Sequence, residues 1–166
     1  CNTYLPYWRK NIKYFNSYSA SKKKGGGVLL DLSHEFDYVQ WLFGKIDKIE
    51  FKKIKKISFL KINTEDTAQI IGKIKNINCN FNLNYFSRFE QRQIIIDSKK
   101  ETIVGDLKNF SVEIFSKKKQ KIIQFKKNLD KTYLDQHLLI LKKKTKALCQ
   151  VKDGKQILSL IDELKK

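Results

Sequence analysis

The residues best suited to chemistry lie in residues 25–44, which read GGGVLLDLSHEFDYVQWLFG. Asp31 and His34 are three positions apart, so on a helix both side chains can face one pocket. A histidine can move a proton near neutral pH, and a nearby carboxylate can orient the ring and stabilise its charge. The alternative is that Asp31 caps the helix and His34 bonds locally, and periodicity alone favours that alternative.

The triple glycine Gly25–Gly27 raises a second possibility, a phosphate site. A glycine-rich turn at a helix N-terminus can hold an anion, because free N–H groups and the helix dipole point to it. The string GGG matches neither GxGxxG nor GxxxxGK[ST], however, and no Val/Ile-rich strand precedes it. The sequence therefore supports a phosphate site only weakly.

The element that must position Asp31 and His34 is a helix predicted over residues 28–43, with Gly44 as its stop signal. Its apolar arc consists of Val28, Leu29, Leu32, Phe36, Val39 and Phe43. Residues 1–24 carry aromatic groups without a clean period and predict an extended arm or long loop. We therefore divide the chain into an arm with its glycine turn (1–27) and one domain (28–166).

Strand patterns dominate from about residue 46 to residue 126. In NCNFNLNYF (78–86), apolar residues and asparagines alternate strictly, which predicts a strand with one buried face. Short polar links favour antiparallel hairpins, and too little helix intervenes for a parallel sheet. Further strands are predicted at 56–62, 67–75, 92–97, 102–107, 111–115 and 121–125.

Two helices are predicted to close the chain, at residues 132–148 and 154–165, with Asp153 as the N-cap of the second. The order of elements predicts an α+β fold, in which helices pack on one face of a large, mostly antiparallel sheet.

The formal net charge of +18 raises the question of nucleic acid as a partner. Only three of the 35 basic residues are arginines, and the lysines are spread along the chain beside many Ile, Asn and Phe residues. This bias is typical of an AT-rich coding sequence, whereas nucleic-acid sites depend on arginine for bidentate contacts. We therefore favour a solvated basic surface over nucleic-acid binding.

The sequence gives little support for a membrane protein, a secreted protein or a metal-binding protein. No apolar run approaches the roughly 20 residues that span a bilayer, and no signal peptide is visible, so we expect no membrane partner and a cytoplasmic location. The three cysteines lack the spacing of a metal site, and we expect no metal. The sequence contains no methionine, even at position 1, which favours a piece of a longer protein.

The string at 25–44 closely resembles the start of the C-terminal domain in the Gfo/Idh/MocA family of NAD(P)-dependent oxidoreductases. Other segments resemble the family in the same order along the chain, and the resemblance covers nearly all of it. They are YLPYWR (4–9) with YSA (18–20), NTEDTAQII (63–71), LNYFSRFEQRQIIIDSKKETIVGDL (83–107), TYLDQ (132–136) and VKDGKQILSLIDELKK (151–166).

The resemblance implies a two-domain enzyme whose Rossmann half carries the dinucleotide motif and a catalytic lysine in a Glu-Lys-Pro segment. Neither motif occurs here. The chain would then be the substrate and oligomerisation half, with no cofactor-binding residues of its own and no activity alone. NAD or NADP would bind mainly to the other half.

The resemblance also implies site roles. His34 matches the family's acid/base histidine in hydride transfer, and Asp31 matches its accompanying aspartate, although many members space the two residues four apart. Trp8, Arg9 and Tyr18 match positions suited to contact a sugar or sugar phosphate, yet each could equally brace the arm.

The implied function is that of a sugar or nucleotide-sugar oxidoreductase of surface-polysaccharide pathways, self-associating through an open sheet face. Asp37, Tyr38 and Trp41 are expected to pack the helix or support the site. Two alternatives stay open: a non-catalytic self-associating domain and, less favoured, a basic nucleic-acid-binding module.

Overall fold

The computed structural model describes the backbone of residues 1–166 and every side chain except those of residues 129 and 147. The chain forms two compact units, which we call the core unit (residues 1–90 and 151–166) and the sheet unit (residues 91–150). Both units combine helices with mostly antiparallel strands, so the predicted α+β class is confirmed.

The core unit contains a five-stranded sheet in the order β2-β3-β4-β1-β5. Strand β1 pairs in parallel with β4, while β2, β3 and β4 pair antiparallel. The strands are β1 (Asn2–Tyr4), β2 (Lys48–Lys55), β3 (Thr67–Ile74), β4 (Ile77–Asn84) and β5 (Phe86–Gln91). The helices are α1 (Leu5–Trp8), α2 (Val28–Asp31), α3 (Ser33–Phe43) and α5 (Val151–Lys165).

The hydrophobic core of this unit consists of apolar side chains from one face of each helix and from strand β4, in which apolar and polar residues alternate. Phe81 and Leu83 are buried while Asn80 and Asn82 are exposed, which confirms the predicted strand period. Phe36 of α3 packs on Phe81 with ring centroids 4.8 Å apart. Helix α5 contributes Ile157, Ile161 and Leu164. Burying each such apolar side chain stabilises the fold by about 1.5–3 kcal/mol.

Residues 1–24, predicted as an extended arm or loop, are folded more regularly than expected. They form β1, α1 and three 3₁₀ turns at Tyr14–Asn16, Tyr18–Ala20 and Lys22–Lys24. Leu5 is fully buried, and its N–H donates to the carbonyl of Tyr85 at 2.8 Å. The short segments gave no period because each is too brief to show one.

The predicted helix over 28–43 is broken into α2 and α3 at Leu32, where φ is −104° and ψ is 23°. The N–H of Glu35 donates to the carbonyl of Leu32, a tighter three-residue spacing that opens α3. Asp31 and His34 therefore lie on different helices, and the wheel that placed them on one face does not apply.

The predicted strand at 56–62 is wrong, and the strand β2 lies immediately before it. The fully buried carboxylate of Asp66 accepts hydrogen bonds from the backbone N–H of Ile57 at 2.8 Å and of Ser58 at 3.0 Å. The Ser58 hydroxyl also donates to it at 2.6 Å. These donors are consequently not available to a strand ladder.

The sheet unit contains β6 (Gln93–Asp97), β7 (Glu101–Asp106), β8 (Ser111–Ser116) and β9 (Gln120–Gln124), paired antiparallel in sequence order. Helix α4 (Leu129–Leu141) follows. The helix predicted over 132–148 thus ends early, because Lys143 takes left-handed backbone with φ of 56°.

Helix α5 begins at Val151, so Asp153 lies within its first turn and is not the N-cap. Across the described residues, no helix is both long enough and apolar enough to cross a membrane.

Candidate functional site

Arg9 is the centre of a polar and aromatic cluster at the end of α1. Its guanidinium lies over the ring of Trp8, 4.2 Å from the centroid, and over the ring of Tyr18 at 4.8 Å. Nη2 donates to the Tyr18 hydroxyl at 2.7 Å and to the Ser19 hydroxyl at 2.9 Å, and Nε donates to Ser19 at 3.1 Å. All three residues predicted to bind substrate therefore lie together.

The triple glycine holds the Tyr18–Ala20 turn in place beside α2. Gly27 N–H donates to the carbonyl of Ser19 at 3.2 Å. A Cβ on Gly26 would overlap the backbone carbonyls of Tyr18 and Ser19, so only glycine permits this approach. The glycines thus pack one chain segment against another.

The structure does not support a phosphate site at the triple glycine. The carboxylate of Glu65 already lies against Gly27 at the start of α2, where a Cβ would overlap it. Lys165 lies 3.3 Å from Glu65 Oε1, an ion pair without the alignment of a hydrogen bond. A resident carboxylate repels a second anion, so these glycines do not form a dinucleotide cradle.

Asp31 lies beneath Arg9, with its side chain only 2% exposed. Its Oδ2 is 3.5 Å from Arg9 Nη2. The ring of Tyr85 is fully buried nearby, 6.3 Å from the ring of Trp8. Burial raises the pKa of the Tyr85 phenol, and the Asp31 carboxylate raises that pKa further. The phenol is therefore neutral, and no partner meets hydrogen-bond geometry with its hydroxyl among the described side chains.

His34 forms a second cluster on α3. Its Nε2 lies 2.9 Å from Oε1 of Glu35, a carboxylate only 3% exposed, while the His34 side chain is 44% exposed. The Tyr38 hydroxyl donates to Oε2 of Glu35 at 2.7 Å. Asp31 and His34 share no hydrogen bond or ion pair within the part of the chain that the structure describes.

The two residues predicted to be catalytic thus have different partners. Asp31 pairs with Arg9, and His34 pairs with Glu35. Ser19, Glu35 and Tyr85 also lie in these clusters and were not predicted from the sequence. Glu35 had one usable signal, since a carboxylate adjacent to a candidate acid/base histidine can orient it. Trp41, expected to pack the helix, is 75% exposed.

Residues 2–164 match the family model described as the oxidoreductase family, C-terminal alpha/beta domain, of the Gfo/Idh/MocA type. No curated protein matches the sequence. Similar folds occur among solved structures.

UDP-N-acetylglucosamine 3-dehydrogenase GnnA from Acidithiobacillus ferrooxidans aligns with a TM-score of 0.74 at 13% identity, over 99% of this chain and 50% of that one. Biliverdin reductase from Synechocystis sp. PCC 6803, in complex with biliverdin and NADP+, gives 0.65 at 9% identity, over 90% and 49%. An NAD-binding protein from Listeria innocua gives 0.62 at 14% identity, over 90% and 51%.

At such identities the likeness to these structures shows the fold alone, and the chain spans about half the length of each. The family assignment rests on the family model, which covers nearly every residue. This chain belongs to the Gfo/Idh/MocA oxidoreductase family and corresponds to its C-terminal α/β domain.

Proposed function

We propose that this chain supplies the substrate-binding and acid/base residues for hydride transfer in an NAD(P)-dependent oxidoreductase of sugars or nucleotide sugars. Membership of the oxidoreductase family supports the reaction class. The similarity of fold to a UDP-N-acetylglucosamine dehydrogenase supports the substrate class. A cytoplasmic location and a place in polysaccharide synthesis accompany this proposal as predictions.

The observation that carries the proposal is the bonding pattern of Arg9. Nε and Nη2 are engaged, whereas Nη1 has no hydrogen-bond partner among the described residues. The rings of Trp8 and Tyr18 that flank it are 39% and 49% exposed. A planar cation with free donors suits a phosphate or carboxylate, and exposed aromatic faces suit the apolar face of a sugar.

Asp31 supports this site through Arg9. Its side chain is nearly inaccessible, so its route to substrate is to fix the guanidinium and to offset its charge. His34 keeps much of its ring exposed and can exchange a proton with a substrate hydroxyl. When bound, the nicotinamide of NAD(P) accepts or returns the hydride.

The triple glycine does not fit a dinucleotide phosphate, because Glu65 fills the start of α2 there. We expect the cofactor, and a lysine that assists His34, to come from a nucleotide-binding half outside these residues. The 166-residue chain alone should neither bind NAD(P) tightly nor turn over substrate. Tight binding of NAD+ in a calorimetric titration of the chain would contradict this expectation.

Calorimetric titration with UDP-N-acetylglucosamine, UDP and N-acetylglucosamine tests the substrate site. Arg9→Lys should weaken binding of the phosphate-bearing ligands about tenfold or more, because one charge-assisted bond contributes about 1.5–3 kcal/mol. Arg88→Lys is the matched control, since Arg88 also stacks on aromatic rings, those of Tyr4 and Phe59. Absence of binding, or an equal loss in both variants, would refute the proposal.

His34→Asn tests the acid/base role in an enzyme that joins this domain to a nucleotide-binding half. Loss of a positioned acid/base group lowers kcat by about 10²–10⁴-fold. Nucleotide-sugar binding should persist in this variant, because the ligand contacts assigned to Arg9 remain. An unchanged kcat would remove His34 from the mechanism.

A non-catalytic self-associating domain is the second candidate, and one face of the sheet unit favours it. Six apolar side chains align across its strands, yet none is buried. They are Ile94, Ile96, Ile103, Val112, Ile114 and Ile123, which we call the apolar sheet face. Sedimentation should show a dimer that Ile103→Glu disrupts and that Thr102→Glu, on the opposite face, does not. A monomer at high concentration counts against this candidate.

A further inference from the structure

We infer that Ser19 is the positioning residue for Arg9: its buried hydroxyl occupies the Nε and Nη2 edge of the guanidinium, so that Arg9 meets substrate through Nη1. This inference rests on the proposed function, because it specifies how the Arg9 site takes an anionic group of the substrate.

Ser19 lies closer to the guanidinium than Asp31 does. The Ser19 hydroxyl oxygen accepts from Nε at 3.1 Å and from Nη2 at 2.9 Å, whereas Asp31 Oδ2 lies 3.5 Å from Nη2. Nε and Nη2 lie on one edge of the planar guanidinium, so a single oxygen that accepts from both fixes the rotation of that plane. Asp31 thus offsets the charge of Arg9, while Ser19 sets its orientation.

Backbone contacts fix Ser19 in turn. The residue is fully buried, and its carbonyl oxygen accepts hydrogen bonds from the N–H of Gly27 and from the Thr64 hydroxyl, each at 3.2 Å. Gly26 packs so closely on the backbone of Tyr18 and Ser19 that a Cβ would overlap it. The triple glycine therefore acts on the candidate substrate site through Ser19.

The donors that remain determine what the site can bind. Nη1 has no hydrogen-bond partner among the described residues. The Tyr18 hydroxyl accepts from Nη2 at 2.7 Å and, within the described part of the chain, donates to no other group, so its own hydrogen is left to donate. Both two-nitrogen edges of the guanidinium include the engaged Nη2. The site therefore suits one oxygen of a phosphate or carboxylate rather than a two-oxygen fork.

A purely structural role for the Ser19 hydroxyl predicts a different outcome. In that case Ser19→Ala would lower stability and leave the affinity of the folded chain for ligand unchanged. The positioning role predicts weaker binding that depends on the presence of Arg9, because a released guanidinium must be ordered again when ligand binds. Ordering one long side chain lowers affinity about three- to tenfold.

Nitrogen-15 NMR of the arginine side chains tests the orientation without ligand. The chain contains only three arginines, so their Nε–H signals can be assigned by substitution. Arg9 Nε–H should exchange with water at least about tenfold more slowly than Arg88 Nε–H. Arg88 is the internal control, because it also stacks on aromatic rings while its Nε has no hydrogen-bond partner among the described residues. Ser19→Ala should remove the protection of Arg9 and leave Arg88 unchanged.

A double-mutant cycle tests whether Ser19 acts through Arg9. The probe is UDP, titrated calorimetrically into the 166-residue chain. Ser19→Ala should weaken UDP binding about three- to tenfold in the otherwise unsubstituted chain, but less than about twofold beside Arg9→Lys, which has no Nε and Nη2 edge. Ser17→Ala is the matched control and should leave UDP affinity unchanged. Ser17 is also buried in this segment, but its hydroxyl donates to the carbonyl of Tyr14.

Exchange of Arg9 Nε–H as fast as that of Arg88 in the unsubstituted chain would overturn the inference, and this result needs no variant to fold. Unchanged or tighter UDP binding in Ser19→Ala, or an equal loss in both backgrounds, would overturn it too. If neither UDP nor the nucleotide sugar binds at all, the proposed function is refuted while the exchange result still reports the orientation of Arg9, so the two failures are distinguishable.

Discussion

The core unit and the sheet unit are built from similar strands but differ in what those strands bury. In the core unit, 18 apolar side chains are buried, among them Phe36, Ile70 and Ile161. In the sheet unit, no side chain that the structure describes is buried, although its strands pair regularly. Regular pairing alone therefore does not make a core.

The difference follows from what covers each sheet. Helices α2, α3 and α5 place apolar stripes within the core unit, and the site residues are fixed by that packing. In the sheet unit, α4 leaves Tyr133, Leu134 and Leu141 at least 58% exposed. The core unit contains the candidate site, whereas the sheet unit presents apolar surface of the kind that often marks an association surface.

The largest expected effect is a contrast in core truncation between the units. Phe36→Ala should destabilise the chain by about 3–5 kcal/mol, because it removes a fully buried ring. Ile103→Ala removes a side chain that is only partly buried and should cost about 1 kcal/mol or less. Denaturant unfolding followed by circular dichroism measures both. Equal costs would show that the sheet unit has a core after all, and a cost for Ile103→Ala that rises with protein concentration would identify self-association as its source.

Asp66→Ala should give the next largest effect, about 2–4 kcal/mol, because it removes a fully buried carboxylate and the three part-buried hydrogen bonds that Ile57 and Ser58 donate to it. The control is Asp97→Ala in the sheet unit. Asp97 is exposed and accepts a single hydroxyl hydrogen, from Thr102. Its loss should change the free energy of unfolding by about 0.5 kcal/mol or less. A similar cost for both carboxylates would contradict the structural role given to Asp66.

Alanine substitutions at two glycines, one in each unit, compare how tightly the backbone of each unit is packed. Gly27 has φ of 117° and packs on the Glu65 carboxylate, so Gly27→Ala should cost about 1–3 kcal/mol. Gly105 lies on β7, and a Cβ there would meet the Cγ2 atom of half-buried Ile94 at 3.0 Å and the Ile94 carbonyl oxygen at an ordinary 3.9 Å. Ile94 can move, so we expect Gly105→Ala to change thermal stability little. A larger loss at Gly105 than at Gly27 would reverse this ranking.

Strictly local patterns predicted the elements well. The alternation of residues 78–86 predicted β4, and the apolar runs after residue 90 predicted the four strands β6 to β9 to within two residues. The colinear motifs predicted the family. Trp8, Arg9 and Tyr18 lie in one cluster, and their contact with substrate stays a prediction.

The features that were not predicted correctly from the sequence have long-range or stereochemical causes. The alternation at 56–62 resembles a strand, but its N–H groups bind the side chain of Asp66, which local patterns do not reveal. The break at Leu32 has no local signal, because leucine is a strong helix former. No role was predicted for Glu35, because only the fold shows that its carboxylate is buried beside His34.

The smallest expected effect compares two carboxylates whose pKa values are lowered for different reasons. On β2, a hydrogen bond from the Lys73 ammonium and the charges of Lys73 and Lys48 lower the pKa of Glu50. On β7, the backbone N–H of Asn109, then Gln93 and other donors, lower the pKa of Asp106. A lowered folded pKa means that each contribution to stability is present above the unfolded value and is lost as pH falls through the folded value.

Salt separates the two causes. At about 1 M salt the screening length is about 3 Å, so the ion pairs of Glu50 weaken while the neutral donors around Asp106 do not. Carboxyl-carbon NMR titrations should show the pKa of Glu50 rising toward its ordinary value and that of Asp106 staying low. Asp106→Asn should accordingly remove acid-sensitive stability at any salt concentration, and Glu50→Gln only at low salt. Equal salt responses of the two groups would show that the sheet unit, like β2, depends on charge rather than on backbone donors to order its carboxylates.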